Sequence, residues 1–340
     1  MPRLLTKQFR LLLRLNHFSL PAILAGRHTE GNPMFPVADG HCDYLYGAVQ
    51  TGYDLIKPKR EQTIRLDDLL RGGVAMQFFA CWIDTALAAP PLHQCLAMID
   101  AYENMLDAHS ELVPLTRDFT PESGKIATVL AVEGGEAVDG SMAILRVLYR
   151  LGVRAMTLTW NENNELAGAA IGRGNKGLSA IGRDIIDEMC ALGMAIDVSH
   201  LSDKGIEQVL ARATRPVFAS HSNARSVHDH PRSLSDDLIR EIAKQGGTVG
   251  VNFYYQQLTK NNEATIDDIV RHISRVAEIG GIGCCAIGSD LDGMQQYPKN
   301  FKTSRDFPAL FEALLKRGFS EADVYRIAYQ NLHDYIVQFV

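Results

Sequence analysis

The sequence predicts an α/β protein folded as one closed (β/α)8 (TIM) barrel, on three observations. From residue 35 onward, eight short apolar and β-branched runs alternate with amphipathic stretches of 10–20 residues. The runs are apolar nearly throughout, as parallel strands covered by helices are. Eight units in about 305 residues match the roughly 250 residues of such a barrel, with room for insertions. An open doubly wound sheet is the competing arrangement, but its Gly-x-Gly-x-x-Gly turn after the first strand is missing.

Residues 1–33 precede the first unit. They are basic and Leu-rich, with Arg3, Lys7, Arg10 and Arg14 interrupting every apolar run. The runs fall short of a secretory core or of the roughly 20 residues of a membrane span, so the segment is read as a surface extension of a barrel domain over 34–340. The first strand is PVADGHCD (36–43) and the second GGVAMQFFACWI (72–83), followed by a helical stretch over 91–112. IATVLAVEGG (126–135) is the third, with a helix over 141–152, and VRAMTLTW (153–160) the fourth, with a helix over 182–193. MAIDVSH (194–200), PVFASHS (216–222) and TVGVNFY (248–254) come next, then a helix over 267–280 and CCAIGSD (284–290). Several helices end at Gly, which tolerates the left-handed C-cap. The last 16 residues, 325–340, have helical spacing and no hydrophobic tail.

Composition narrows the class. With 340 residues, 46% apolar and 22% charged, the chain is ordinary globular protein rather than disordered. A net charge of −6 supplies no basic field for nucleic acid or anionic membrane, so neither partner is expected. Cys42, Cys81, Cys95, Cys190, Cys284 and Cys285 lack any C-x-x-C spacing, which fits neither a disulfide framework nor a structural zinc site. Free thiols suit a reducing compartment, and a cytoplasmic location is expected.

Active sites of such barrels form at the C-terminal ends of the strands. Those ends carry His41, Asp43, Glu133, Trp160, His200, His221, Tyr254 and Asp290. His41 and Asp43 are two apart and share a strand face, although the pair also suits a turn. Glu133 precedes Gly134-Gly135 and can offer one oxygen to each of two ions; its plain alternative is a loop ion pair. His200 and His221 end consecutive strands, close enough for one cation. Asp290 suits a general acid/base, while Asp292 reads as a turn residue or an acceptor behind the site. Together these donors suffice for a binuclear centre of borderline metals such as Zn²⁺, with hydrolysis of an amide or ester as the implied chemistry.

The segments DGHCD (39–43), GGVAMQFF (72–79), VEGGEAVDGSMAILRVLYRLGVRAMTLTW (132–160), GLSAIGRDIIDEMCALGMAIDVSHLSD (177–203), SHSNARSVHDHPRSLSDDLI (220–239), GVNFY (250–254) and GSDLDG (288–293) carry a resemblance. The chain resembles the membrane dipeptidase (renal dipeptidase-like) family of zinc metallopeptidases, in its bacterial branch, among the amidohydrolase-type barrels. The resemblance implies one Zn²⁺ on His41, Asp43 and Glu133 and a second on Glu133, His200 and His221, with a bridging hydroxide. It also implies Arg232 as the receptor of a dipeptide's α-carboxylate, although on its own that residue reads as a surface arginine. Asp290 is implied as the proton-transfer group, dipeptides with D-residues at the C-terminal position as substrates, and a homodimer as the assembly. The competing reading is a binuclear hydrolase of another small amide, an N-acyl amino acid or a lactone. One position departs: where better-known members have Leu-Thr-His, this chain has Leu158-Thr159-Trp160, then Asn161, Asn163 and Asn164. Indole cannot carry a proton as imidazolium does, so Trp160 or a neighbouring Asn is expected to supply the contact to the developing oxyanion.

Overall fold

A computed structural model describes residues 35–121, 124–261 and 263–340. The extension read over 1–33 lies outside them.

Seven parallel strands form most of a ring: β1 (Val37–Asp39), β2 (Val74–Trp82), β4 (Ile126–Glu133), β5 (Val153–Thr157), β6 (Ala195–Asp197), β7 (Val249–Val251) and β8 (Cys285–Ile287). The eighth stave, over 217–219, is held by single bridges: Asp197 pairs with Phe218, and Ala219 with Val249. Four backbone bonds join it to both neighbours, Phe218 N to Ile196 O, Val198 N to Phe218 O, Ala219 N to Thr248 O and Gly250 N to Ala219 O. With β1 paired to both β2 and β8, the sheet closes into the barrel that the alternation predicts.

The staves are shorter than the apolar runs suggest. The run 36–43 yields Val37–Asp39 plus a bridge at Cys42, and 284–290 yields Cys285–Ile287. Side chains at the tips bond to nearby backbone instead of extending the ladder: Asp39 accepts from Ser289 N, and Asp197 from Ser199 N and Ser220 N. A further strand, β3 (Leu112–Pro114), pairs with the start of β4 on the outside of the ring. It takes up the end of the predicted 91–112 helix, which stops at Ala108.

Outer helices include α1 (Tyr44–Thr51), α2 (Leu66–Arg71), α3 (Pro91–Ala108), α4 (Met142–Arg150), α5 (Ala180–Leu192), α6 (Asp203–Arg212), α7 (Asp236–Lys244), α8 (Tyr255–Leu258) and α9 (Ile266–Gly280). Serines cap α4 to α7: Ser141, Ser179, Ser202 and Ser235 each accept from a backbone N–H in the first turn. The barrel interior (Ala38, Met76, Phe78, Ala127, Val129, Ala155, Ala195, Phe218, Ala286) continues into Tyr329, Leu332, Tyr335, Ile336 and Phe339 of the C-terminal helical segment. Tyr335 Oη donates to Pro216 O at 3.0 Å, and Asn331 Nδ2 to Cys285 O at 2.8 Å, both where staves begin. The C-terminal segment thus plugs the bottom and leaves the opposite mouth for chemistry.

Candidate metal centre

Glu133 ends β4 in register with Trp82 of β2 and Thr157 of β5. Its phase points it into the mouth, where both carboxylate oxygens are engaged. Oε2 lies 3.4 Å from His41 Nε2; Oε1 lies 2.9 Å from His200 Nε2 and 3.4 Å from His221 Nε2. His41 Nε2 is also 3.7 Å from Asp43 Oδ2. All five side chains are buried. The structure therefore brings together His41, Asp43, Glu133, His200 and His221 around the two oxygens of one carboxylate.

Local backbone aims these groups. His200 follows β6 in a left-handed conformation (φ 68°), pinned by Ala170 N and Thr159 Oγ1 donating to its carbonyl. Its Nδ1 faces Asn161 Oδ1 at 3.0 Å. That oxygen only accepts, so Nδ1 carries the proton and Nε2 presents a lone pair. Nδ1 of His221 is 2.7 Å from Ser220 Oγ, and the two Nε2 atoms face each other at 2.9 Å.

These donors fit a metal. Lone pairs of two imidazoles and a carboxylate oxygen converging this closely repel one another unless a cation lies among them. His41 Nε2 and Asp43 Oδ1 are buried without a hydrogen-bond partner, as open ligand atoms would be. Two ligand sets meet coordination spacing: His41 with Glu133 and His221, and His41 with Asp43 and Asp290. Burial, with the Arg232 charge, holds His200 down at about 3, and burial also pushes His221 well down, so both rings stay neutral, the form in which imidazole can bind a cation. Burial works against the charged forms of Glu133 and His41 as well, but their mutual attraction outweighs it, lowering the acid and raising the base.

Asp290 is left-handed too (φ 62°), and its carboxylate joins His41 and Asp43. Asn252 Nδ2 donates to its Oδ2 at 3.0 Å. Burial first, then Asp43 and Glu133, push Asp290 up to about 7 against the pull of His41. Its loop is fastened on both sides. Ser289 bonds to Asp39, and Asp292 accepts from Thr63 Oγ1 at 2.8 Å and from Thr63 N at 2.5 Å. Gly293 allows the close approach: a Cβ there would sit 2.1 Å from Asp43 Oδ2 and 2.3 Å from Asp290 Oδ1.

Arg232 is not a surface residue. It is 4% exposed, its Nη2 donates to His221 O at 3.4 Å, its Nε has no partner, and among the described residues no carboxylate pairs with it. Burial lowers it to about 10, which leaves it charged at neutral pH.

Trp160 is half-buried, its ring 6.2 Å from His200 and 4.9 Å from Trp82. Asn163 and Asn164 are occupied in their own loop: Asn163 Oδ1 accepts from Ala169 N, and Asn164 Oδ1 from Leu166 N and Ala167 N. Their amide groups also donate, to Arg173 O and Leu158 O respectively. At the seventh stave Tyr254 Oη donates to Gln256 Oε1, whereas Asn252 reaches Asp290. Of the asparagines that follow Trp160, Asn161 is the one that reaches the site, while Asn252 and Trp82 are site residues that the strand ends did not single out. For Trp82 the inward phase of Met76, Phe78 and Ala80 was a usable signal.

Known proteins bear on this geometry. Residues 32–335 match the sequence model of the membrane dipeptidase family, peptidase family M19. The chain is 34% identical over 330 residues to a protein of Schizosaccharomyces pombe named as an uncharacterized dipeptidase, covering 88% of this chain and 79% of that one. It is 32% identical over 312 residues to dipeptidase 3 of Mus musculus, covering 88% of this chain but only 63% of the mouse protein. In fold it is similar to a metallopeptidase of Rhodobacter sphaeroides solved with a phosphinate mimic of the dipeptide L-Ala-D-Ala. That TM-score is 0.83 at 23% identity, over 90% of this chain and all of the other. From sequence and fold together, this chain belongs to the membrane dipeptidase family, peptidase family M19.

Proposed function

We propose that the protein is a zinc-dependent dipeptidase whose two metal ions share Glu133. The observation that carries the reading is the division of that carboxylate, Oε2 toward His41 and Oε1 toward His200 and His221. His41, Asp43 and Glu133 would hold one ion, and Glu133, His200 and His221 the other. Two such ions would acidify a water and polarise the substrate carbonyl.

The rest of the work falls to the chain's own residues. Arg232 is a buried charge without an anionic partner, an arrangement that costs several kcal/mol unless an anion arrives, and a dipeptide's α-carboxylate supplies one. With the carboxylate held there, the bond presented to Glu133 is the one that joins the C-terminal residue to the group before it, as in a dipeptide. Asp290, oriented by Asn252, stands on the His41–Asp43 side and delivers a proton to the departing amine. Trp160 and Asn161 border His200 and are the residues from which the oxyanion contact comes. Acceptance of a C-terminal D-residue, a homodimer and a cytoplasmic location belong to the same proposal. Among the described residues no helix is long and apolar enough to cross a membrane.

The test is amino-acid release from a panel of L-L and L-D dipeptides, N-acyl amino acids and lactones by zinc-loaded protein. Turnover of dipeptides is expected. Turnover of N-acyl amino acids or lactones without any dipeptide would replace this reading with the broader hydrolase.

A further inference from the structure

We propose that the mouth carries a subsite for a cationic side chain on the substrate's N-terminal residue, formed by Tyr46, Trp82 and Trp160 with Asp84 and Glu162. This rests on the dipeptidase reading and deepens it.

The aromatic row begins at the centre itself. Trp160 lies 6.2 Å from His200, Trp82 is 4.9 Å from Trp160, and Tyr46 is 4.6 Å from Trp82, measured between ring centroids. Trp82 ends β2 beside Glu133 and has the same inward phase, so its ring belongs to the mouth. All three residues are only half-buried, whereas the large core rings such as Phe78, Phe79 and Phe218 are almost fully enclosed. Aromatic faces left open beside a reaction centre offer a platform to a ligand.

Ring order says which end of a dipeptide meets that platform. Trp82 ends β2 and Trp160 comes just after β5, on either side of β4. Arg232 bonds to His221 after the 217–219 stave, which stands opposite β2 in the eight-stave ring. A substrate whose carboxylate lies at Arg232 and whose peptide bond lies at Glu133 therefore extends its N-terminal residue toward the aromatic row.

Charge then selects among side chains. Asp84 Oδ2 accepts from Tyr46 Oη at 2.9 Å, and Glu162 Oε2 from Thr85 Oγ1 at 3.5 Å. Among the described residues neither carboxylate has a basic partner. Beside Gly134 and Ile83, Glu136 Oε2 is a further buried oxygen without a hydrogen-bond partner. Aromatic faces rimmed by carboxylates attract a guanidinium or ammonium through both cation–π and charge-assisted contacts, and repel an acidic side chain.

The chain has two tryptophans, both in this row, so intrinsic fluorescence reports on it directly. Zinc-loaded protein is titrated with non-hydrolysable phosphinate analogues of Arg-Ala, Leu-Ala and Glu-Ala, while kcat/KM is measured for the parent dipeptides. The expected result is a Kd for the Arg analogue at least tenfold below that for Leu, with Glu weakest and kcat/KM in the same order. In the Asp84→Asn/Glu162→Gln double variant the Arg-to-Leu ratio should fall below threefold. Equal affinities for Arg and Leu analogues, or a ratio unchanged in the double variant, would overturn the subsite. Failure to hydrolyse any dipeptide despite tight binding of the analogues would instead overturn the dipeptidase reading and leave the subsite standing.

Discussion

Asp290 holds a backbone conformation (φ 62°) that costs a non-glycine residue about 1–2 kcal/mol, and His200 does the same at φ 68°. Flanking bonds overcome that cost: Asp39–Ser289 and Asp292–Thr63 for the first, Ala170 and Thr159 for the second. Strain so supported is spent on aim. Asp290→Asn should lower kcat about 10²–10⁴-fold, the range of general acid–base catalysis, while zinc content stays at the native value. Loss of zinc in that variant would instead make Asp290 a ligand, a role that its place beside His41 and Asp43 permits. Arg232→Lys should reduce kcat/KM for dipeptides about 10–100-fold, mainly through KM, because an ammonium cannot form the two-pronged carboxylate contact. Dipeptide amides, which lack the carboxylate, should be equally slow with wild type and variant. At this scale His41, Asp43, Glu133, His200, His221 and Asp290 were legible because each ends an apolar run. The burial of Arg232 was not, since it lies in a loop whose path depends on packing against His221.

At the scale of elements, strand existence and order were legible and strand ends were not. The apolar runs at 36–43 and 284–290 contain Asp39 and Ser289, and each bonds to the other between neighbouring staves, which stops both ladders early. β3 was hidden because three residues, Leu112–Pro114, carry no periodicity of their own. Helix α9 holds a buried titratable group that is not among the candidate ligands. His272 Nδ1 accepts from Ala224 N at 3.2 Å and its Nε2 donates to Leu258 O at 3.0 Å, an arrangement only the neutral ring satisfies. Burial, against the Leu258 bond, depresses it to about 4. Its contribution is complete above the ordinary histidine pKa of about 6.5 and is lost as pH falls from there through about 4. Between pH 7 and pH 4 the wild type should lose on the order of 3 kcal/mol more than His272→Gln, measured by urea unfolding. Parallel curves would show that the ring titrates normally.

For the molecule as a whole, one end of the barrel is sealed and the other is active. The C-terminal segment gave its helical spacing in sequence, but its place beneath the barrel became visible only through the contacts of Tyr335, Leu332 and Phe339 with the barrel interior. Tyr335→Ala should destabilise the protein by about 3–5 kcal/mol, read as a lower Tm, and Tyr335→Phe by only about 1 kcal/mol. Neither change touches the mouth, so kcat at 25 °C should hold for folded protein. Whether the Glu133 carboxylate joins two metal ions is read from the zinc bound per chain after exhaustive dialysis, in wild type and in Glu133→Gln. Two equivalents are expected in the wild type and at most one in the variant; one equivalent in the wild type, or two retained without the Glu133 carboxylate, would rule out a shared carboxylate.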